Sequence, residues 1–141
     1  MRRFEKILIP VDLDQESSWR EALPAAVDQA RHSSGKLHIV TVVPEEPPQL
    51  AWLPADYSAK MIAHVKPKLA KLVDAHLPAD VSAEQHVRQG SVYREIVELA
   101  QELEVDLIVI ASHRPELKDY LLGPNAARVV RHAECSVMVI R

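Results

Sequence analysis

Four short apolar runs punctuate the chain: Ile7-Leu8-Ile9, Leu37 to Val43, Leu107 to Ile110 and Val137 to Ile140. They are rich in β-branched residues and nearly continuous, the pattern of strands buried on both faces of a parallel sheet. A fifth segment, Glu84-Gln85-His86-Val87-Arg88, is far more polar and reads as an edge strand with one side in water. Between these runs the apolar residues recur at helical spacing. Leu23, Val27 and Ala30 share one face. Ile62, Val65, Leu69, Leu72 and Val73 make a second stripe, and Ile96, Val97, Ala100 and Leu103 a third. Ala126, Val129, Val130 and Ala133 form the fourth. Pro67 is expected to kink the second helix or mark a fresh start. Ser18 and Glu21 have capping-box spacing, and Ser91 after Gly90 is a natural N-cap.

The predicted order is therefore β-α-β-α-β-α-β-α-β. Strict alternation implies right-handed crossovers and a doubly wound parallel sheet with helices on both faces, all within one domain spanning residues 1–141. The stretch from Pro44 to Pro54 contains Glu45-Glu46-Pro47-Pro48, and its proline density predicts a surface loop after the second strand. That loop reads as a connector, or alternatively as a lid or partner contact using Trp52 and Tyr57.

Composition narrows the class. Hydrophobic residues at 48% and charged residues at 26% are the balance of a globular protein with a core, and 141 residues suffice to build one. The formal net charge of −3 argues against a nucleic-acid partner, which wants a clustered basic face. The single cysteine, Cys135, excludes an internal disulfide and fits a reducing compartment. The apolar run Ile7 to Val11, interrupted by Pro10, is too short for a secretory leader, and no stretch is long enough to span a membrane. A cytoplasmic protein without a membrane partner is the expectation.

In an open parallel sheet, ligands bind beyond the carboxyl ends of the strands, near the point where strand order reverses. That rule selects Pro10-Val11-Asp12, Thr41-Val42-Val43 and Ala111-Ser112-His113-Arg114. Pro10 has no N–H, so it ends the ladder and exposes backbone at the cleft. Two readings of Asp12 stand: a carboxylate that accepts from ribose hydroxyls or holds a divalent cation, and a turn cap paired with Asp14. Gly123-Pro124-Asn125 opens a helix whose unpaired N–H groups suit phosphate, although ordinary capping explains the same residues. With only three glycines, Gly35, Gly90 and Gly123, neither GxGxxG nor GxxxxGK[ST] can be written. This disfavours an ordinary dehydrogenase and a P-loop NTPase. His38 and His86 fall on strands that this topology places side by side, so a metal pair is open to them. No third ligand suggests itself, and strand histidines are more often structural, so no metal centre is expected from them. Ser112 beside His113 makes no triad, and no catalytic residue is assigned.

Pro10-Val11-Asp12 followed by Ser17-Ser18 resembles the opening of the universal stress protein family. Ile108-Val109-Ile110-Ala111-Ser112-His113-Arg114-Pro115, then Tyr120-Leu121-Leu122-Gly123-Pro124-Asn125 and the run to Val137, are similar to its bacterial F/G branch. The resemblance implies a Rossmann-like five-stranded sheet in the order 3-2-1-4-5, a cytoplasmic location and a homodimer formed through the last strand, Ser136 to Arg141. It also implies ATP as ligand, with Mg2+ as its companion. Adenine and ribose contacts then fall on Pro10, Val11, Asp12 and Val42, and phosphate contacts on Ser112, His113, Arg114, Gly123 and Asn125. This chain departs from the family's phosphate motif: Ala111 and Arg114 stand where it has glycines, and Pro124 replaces a helix-start Ser or Thr. Each lost donor to a charged ligand costs roughly 1.5–3 kcal/mol, while Arg114 can clamp phosphate bidentately. The expected function is that of a dimeric, ATP-dependent stress-response regulator with at most slow hydrolysis. The rival readings are a nucleotide-independent interaction module with a degenerate phosphate loop, and a phosphotransferase or nucleotidyltransferase using Ser112 or His113.

Overall fold

A computed structural model describes residues 4–44, 52, 54–112 and 124–141. Five strands, β1 (Lys6–Pro10), β2 (Lys36–Val43), β3 (Ala83–Gln89), β4 (Leu107–Ala111) and β5 (Ser136–Ile140), alternate with four helices. The helices are α1 (Ala22–Ser33), α2 (Tyr57–His76), α3 (Val92–Glu102) and α4 (Pro124–His132). All strand pairs are parallel, in the order β3-β2-β1-β4-β5. The element alternation and the doubly wound sheet are as the hydrophobic pattern predicts.

Side chains alternate across each strand, so the sheet presents two apolar faces. Ile7, Ile9, Leu37, Ile39, Leu107 and Val109 pack under α1 and α2, with Leu23, Val27, Leu69, Leu72 and Val73 above them. Leu8, Val40, Ile108 and Ile110 pack on the other side, against Ile96, Leu99 and Ala100 of α3 and Val129 of α4. Four of the central residues, Ile7, Leu8, Ile9 and Ile108, have no solvent exposure at all. Burying such a side chain is worth about 1.5–3 kcal/mol, so the middle of the sheet anchors the domain. β3 is the polar edge, with no fully buried residue along its length. β5 is the opposite edge and is half-buried throughout.

Three local expectations are corrected. Pro67 marks no fresh start, since α2 runs as one helix from Tyr57 to His76. Both Pro67 and Ala63 are exposed, so the carbonyl that loses its helical donor faces water, where the cost is least. Ser18 does not open a capping box. It closes a 3-10 turn, Glu16–Ser18, and α1 starts at Ala22 after Glu21, which makes no side-chain cap bond. Ser91 does occupy the N-cap of α3, but its hydroxyl makes no capping bond. On the fourth stripe Ala126 and Val129 are buried, whereas Val130 is exposed. Most of the Pro44–Pro54 loop lies outside the described residues; Trp52 within it is exposed.

Candidate functional site

The carboxyl ends of β1, β2 and β4 meet on one rim of the sheet, and the order β2-β1-β4 makes the gap between β1 and β4 the point where chain progression reverses. Each rim residue is held by the ladder behind it. The Val11 N–H donates to the Val40 carbonyl at 2.8 Å, prolonging β1 past Pro10, whose ring can donate nothing. The Ser112 N–H donates to the Ile140 carbonyl at 3.0 Å, which sets Ser112, itself buried, at the end of β4. Val42 is half-buried beside this rim, one residue before β2 ends.

Asp12 is exposed and anchored through its backbone: its N–H donates to Ser18 Oγ at 2.8 Å. Its side chain accepts from the Asp14 N–H at Oδ1, 3.0 Å away, so the turn is real. Oδ2 has no protein donor among the described residues, and a carboxylate oxygen at a sheet terminus can accept from a ligand hydroxyl. The two readings of Asp12 are therefore compatible, one per oxygen. Ser18, missed as an anchor by sequence reasoning, also lies 2.7 Å from the Gln15 carbonyl and 3.0 Å from that of Asp12. A single hydroxyl thus folds the loop that presents the carboxylate.

Of the remaining residues assigned from sequence, Asn125 lies half-buried in the first turn of α4, and Pro10 ends β1. Pro124 is the first residue of α4, so one of the helix's terminal N–H groups is missing from that end. His113, Arg114 and Gly123 lie outside the described residues.

Midway along the β2–β3 pairing, a second cluster joins the two strands. His38 pairs in register with Glu84, and Val40 with His86, so all three polar side chains project from the α3 face. His38 Nδ1 and His86 Nε2 are 3.0 Å apart, and His38 Nδ1 lies 3.7 Å from Glu84 Oε2. Burial pushes both imidazoles below their ordinary pKa. The His86 charge adds to the effect at His38, while Glu84 opposes it at both rings. Glu84 also meets Lys36 Nζ at 2.8 Å, which holds its carboxyl below the ordinary range. Sequence reasoning paired the two histidines but missed Glu84. The signal available was its spacing of two from His86, which puts both on one strand face; the register that brings His38 opposite was not legible.

A doubly wound parallel sheet whose strand order reverses between β1 and β4 is thus defined by geometry, and similarity gives it a lineage. The universal stress protein family model matches residues 3–141. Universal stress protein G of Shigella flexneri is 34% identical, over 98% of this chain and 99% of the relative. Among solved structures, the universal stress protein UspA from Lactobacillus plantarum superposes with a TM-score of 0.80 at 25% identity, covering 100% of both chains. A universal stress protein solved in complex with cAMP matches with a TM-score of 0.62, also at 25% identity, over 99% of this chain and 98% of that one. The chain belongs to the universal stress protein family.

Proposed function

We propose that this chain is a stress-response regulator that binds an adenine nucleotide, ATP in the first instance, at the rim formed by β1, β2 and β4. The observation that carries the proposal is the convergence at the switch point of an exposed carboxylate, Asp12, whose Oδ2 takes no donor from the described residues, and a buried serine, Ser112. The cAMP complex of a relative supports the same ligand class. In this reading Val11 and Val42 flank the adenine and Asp12 takes the ribose. Ser112, His113, Arg114, Gly123 and Asn125 take the phosphates, with Mg2+ at the phosphates or Asp12. Among the described residues of the rim no general base is positioned beside Ser112, and in this reading the nucleotide acts as a switch with at most slow turnover. The protein works in the cytoplasm as a homodimer whose β5 edges pair about a two-fold axis, because a half-buried apolar edge strand is the natural place for a second copy. Among the described residues, no helix is long and apolar enough to cross a membrane.

Pro124 favours a second reading, a nucleotide-independent interaction module, since it removes an N–H from the helix end that the phosphates would use. Thermal unfolding separates the two. A ligand bound only by the folded state adds about 2.7 kcal/mol at a hundredfold its Kd, which appears as a clear rise in Tm. The switch reading expects a rise with millimolar Mg-ATP or cAMP but not GTP, lost in Gly123→Val and reduced in Asp12→Ala. No shift with any adenine nucleotide transfers the function to protein contacts. A monomer mass by light scattering at micromolar concentration removes the dimer from either reading.

A further inference from the structure

His38, Glu84 and His86 do not belong to the nucleotide rim. His38 stands on β2 and Glu84 and His86 on β3, on the face covered by α3, while the rim is built from the carboxyl ends of β1, β2 and β4. We propose that these three side chains form a binding site for one divalent transition-metal ion of the Zn2+ class, held between β2 and β3.

The donor set comes first. Two imidazole nitrogens and one carboxylate are a recurrent three-ligand combination for Zn2+, and they leave a fourth position for water. Mg2+ and Ca2+ prefer all-oxygen surroundings, so the two nitrogens select against them. Geometry comes second. The three ligand atoms lie within 4.8 Å of one another. A tetrahedral ion with bonds of about 2.0–2.1 Å to each nitrogen separates the two nitrogens by about 3.3 Å. His38 Nδ1 and His86 Nε2 stand at 3.0 Å, facing each other, so a small rotation of either ring admits the ion in place of the proton they share. Glu84 Oε2, at 3.7 Å from His38 Nδ1, closes by a few tenths of an ångström on that side.

Rigidity comes third. The ligands stand on two paired strands, with His38 opposite Glu84 and His86 two residues further along, on the same face. His38 is 3% exposed and cannot swing away, whereas Glu84 is on the open side, where an ion would enter. Lys36, 2.8 Å from Glu84, is the competing cation that an arriving metal displaces. A buried imidazole and a half-buried one 3.0 Å apart are otherwise a costly way to join an edge strand, because apolar residues there would need no desolvation of ring nitrogens. A metal ion turns the same pair into a staple between β2 and the polar edge strand β3.

The test uses the full chain without an affinity histidine tag, titrated with Zn2+ against a chromophoric chelator and separately with Co2+. The expected result is one Zn2+ per chain at micromolar affinity or tighter, and a Co2+ visible spectrum with the intensity of four-coordination and no thiolate charge-transfer band. His86→Gln weakens binding roughly 100-fold or more, above what loss of an outer-shell partner costs. Glu84→Gln weakens it by about tenfold, and both positions lie on the edge strand, where the fold tolerates change. His64→Gln, at an exposed site on α2, leaves binding unchanged. No binding at micromolar Zn2+, or binding insensitive to His86→Gln and Glu84→Gln in chains with unaltered circular dichroism, overturns the proposal.

Discussion

Replacing Arg88 with Met separates two ion pairs that look alike but differ in worth. Arg88 lies near the end of the polar edge strand and reaches along α3. Its Nε donates to Glu95 Oε1 at 3.0 Å, while Nη1 and Nη2 donate to the two Glu102 oxygens at 2.8 and 3.2 Å. Both bonds raise the guanidinium pKa, Glu102 the more strongly. Stability follows burial instead. The Glu95 side chain is 17% exposed and that of Glu102 56%. The Glu95 arm is a charge-assisted bond in a poorly hydrated place, and its loss costs about 1.5–3 kcal/mol. The Glu102 arm is exposed and screened by salt, so it adds little, although Arg88 does neutralise a carboxylate at the negative end of α3. Urea unfolding is the assay, run at low salt and again at 1 M NaCl, where the Debye length shrinks to about 3 Å. Arg88→Met should lower the midpoint without changing the slope, and most of the loss should survive high salt. Glu95→Gln should cost more than Glu102→Gln. The reverse ranking, or a loss for Arg88→Met that vanishes in salt, would refute the argument from burial.

Two further outcomes follow from local geometry. A Cβ built on Gly35 meets the Phe4 carbonyl oxygen at 2.6 Å and the Glu5 oxygen at 3.0 Å, both backbone atoms. Gly35→Ala should therefore destabilise by about 1–3 kcal/mol, and a neutral result in urea unfolding would contradict the close approach. Asp80 takes a bidentate pair of hydrogen bonds from Arg31, which hold its carboxyl below the ordinary value of 3.8. A depressed folded pKa contributes stability above the unfolded value that is lost as pH falls through the folded one. The difference in urea midpoint between the natural chain and Asp80→Asn should be constant from neutral pH to about 5 and shrink below about 4. A difference that grows on acidification would reverse the sign.

The strands and helices were legible because burial on both faces writes continuous apolar runs, and burial on one face writes helical stripes. Ile7 to Ile9 and Leu107 to Ile110 are wholly or almost wholly buried, and Glu84 to Arg88 is the polar edge that its composition announces. What misled was local chemistry whose partner is distant in sequence. Ser18 has capping-box spacing, yet its hydroxyl receives the Asp12 N–H six residues back, because the loop after β1 folds over it. Pro67 is a breaker by type, yet α2 continues, because that turn faces water.

The sequence by itself determined the class, the alternation and the rim of strand ends at which Asp12, Val42 and Ser112 would stand, since these depend on periodicity and on the rules of parallel sheets. Only the tertiary structure decided the register of β2 against β3. A shift of one residue would turn Glu84 and His86 to the other face, and nothing in a polar edge strand's composition forbids it. The pairing of His38 with Glu84, and the approach of His86 to within 3.0 Å, exist only once that register is chosen.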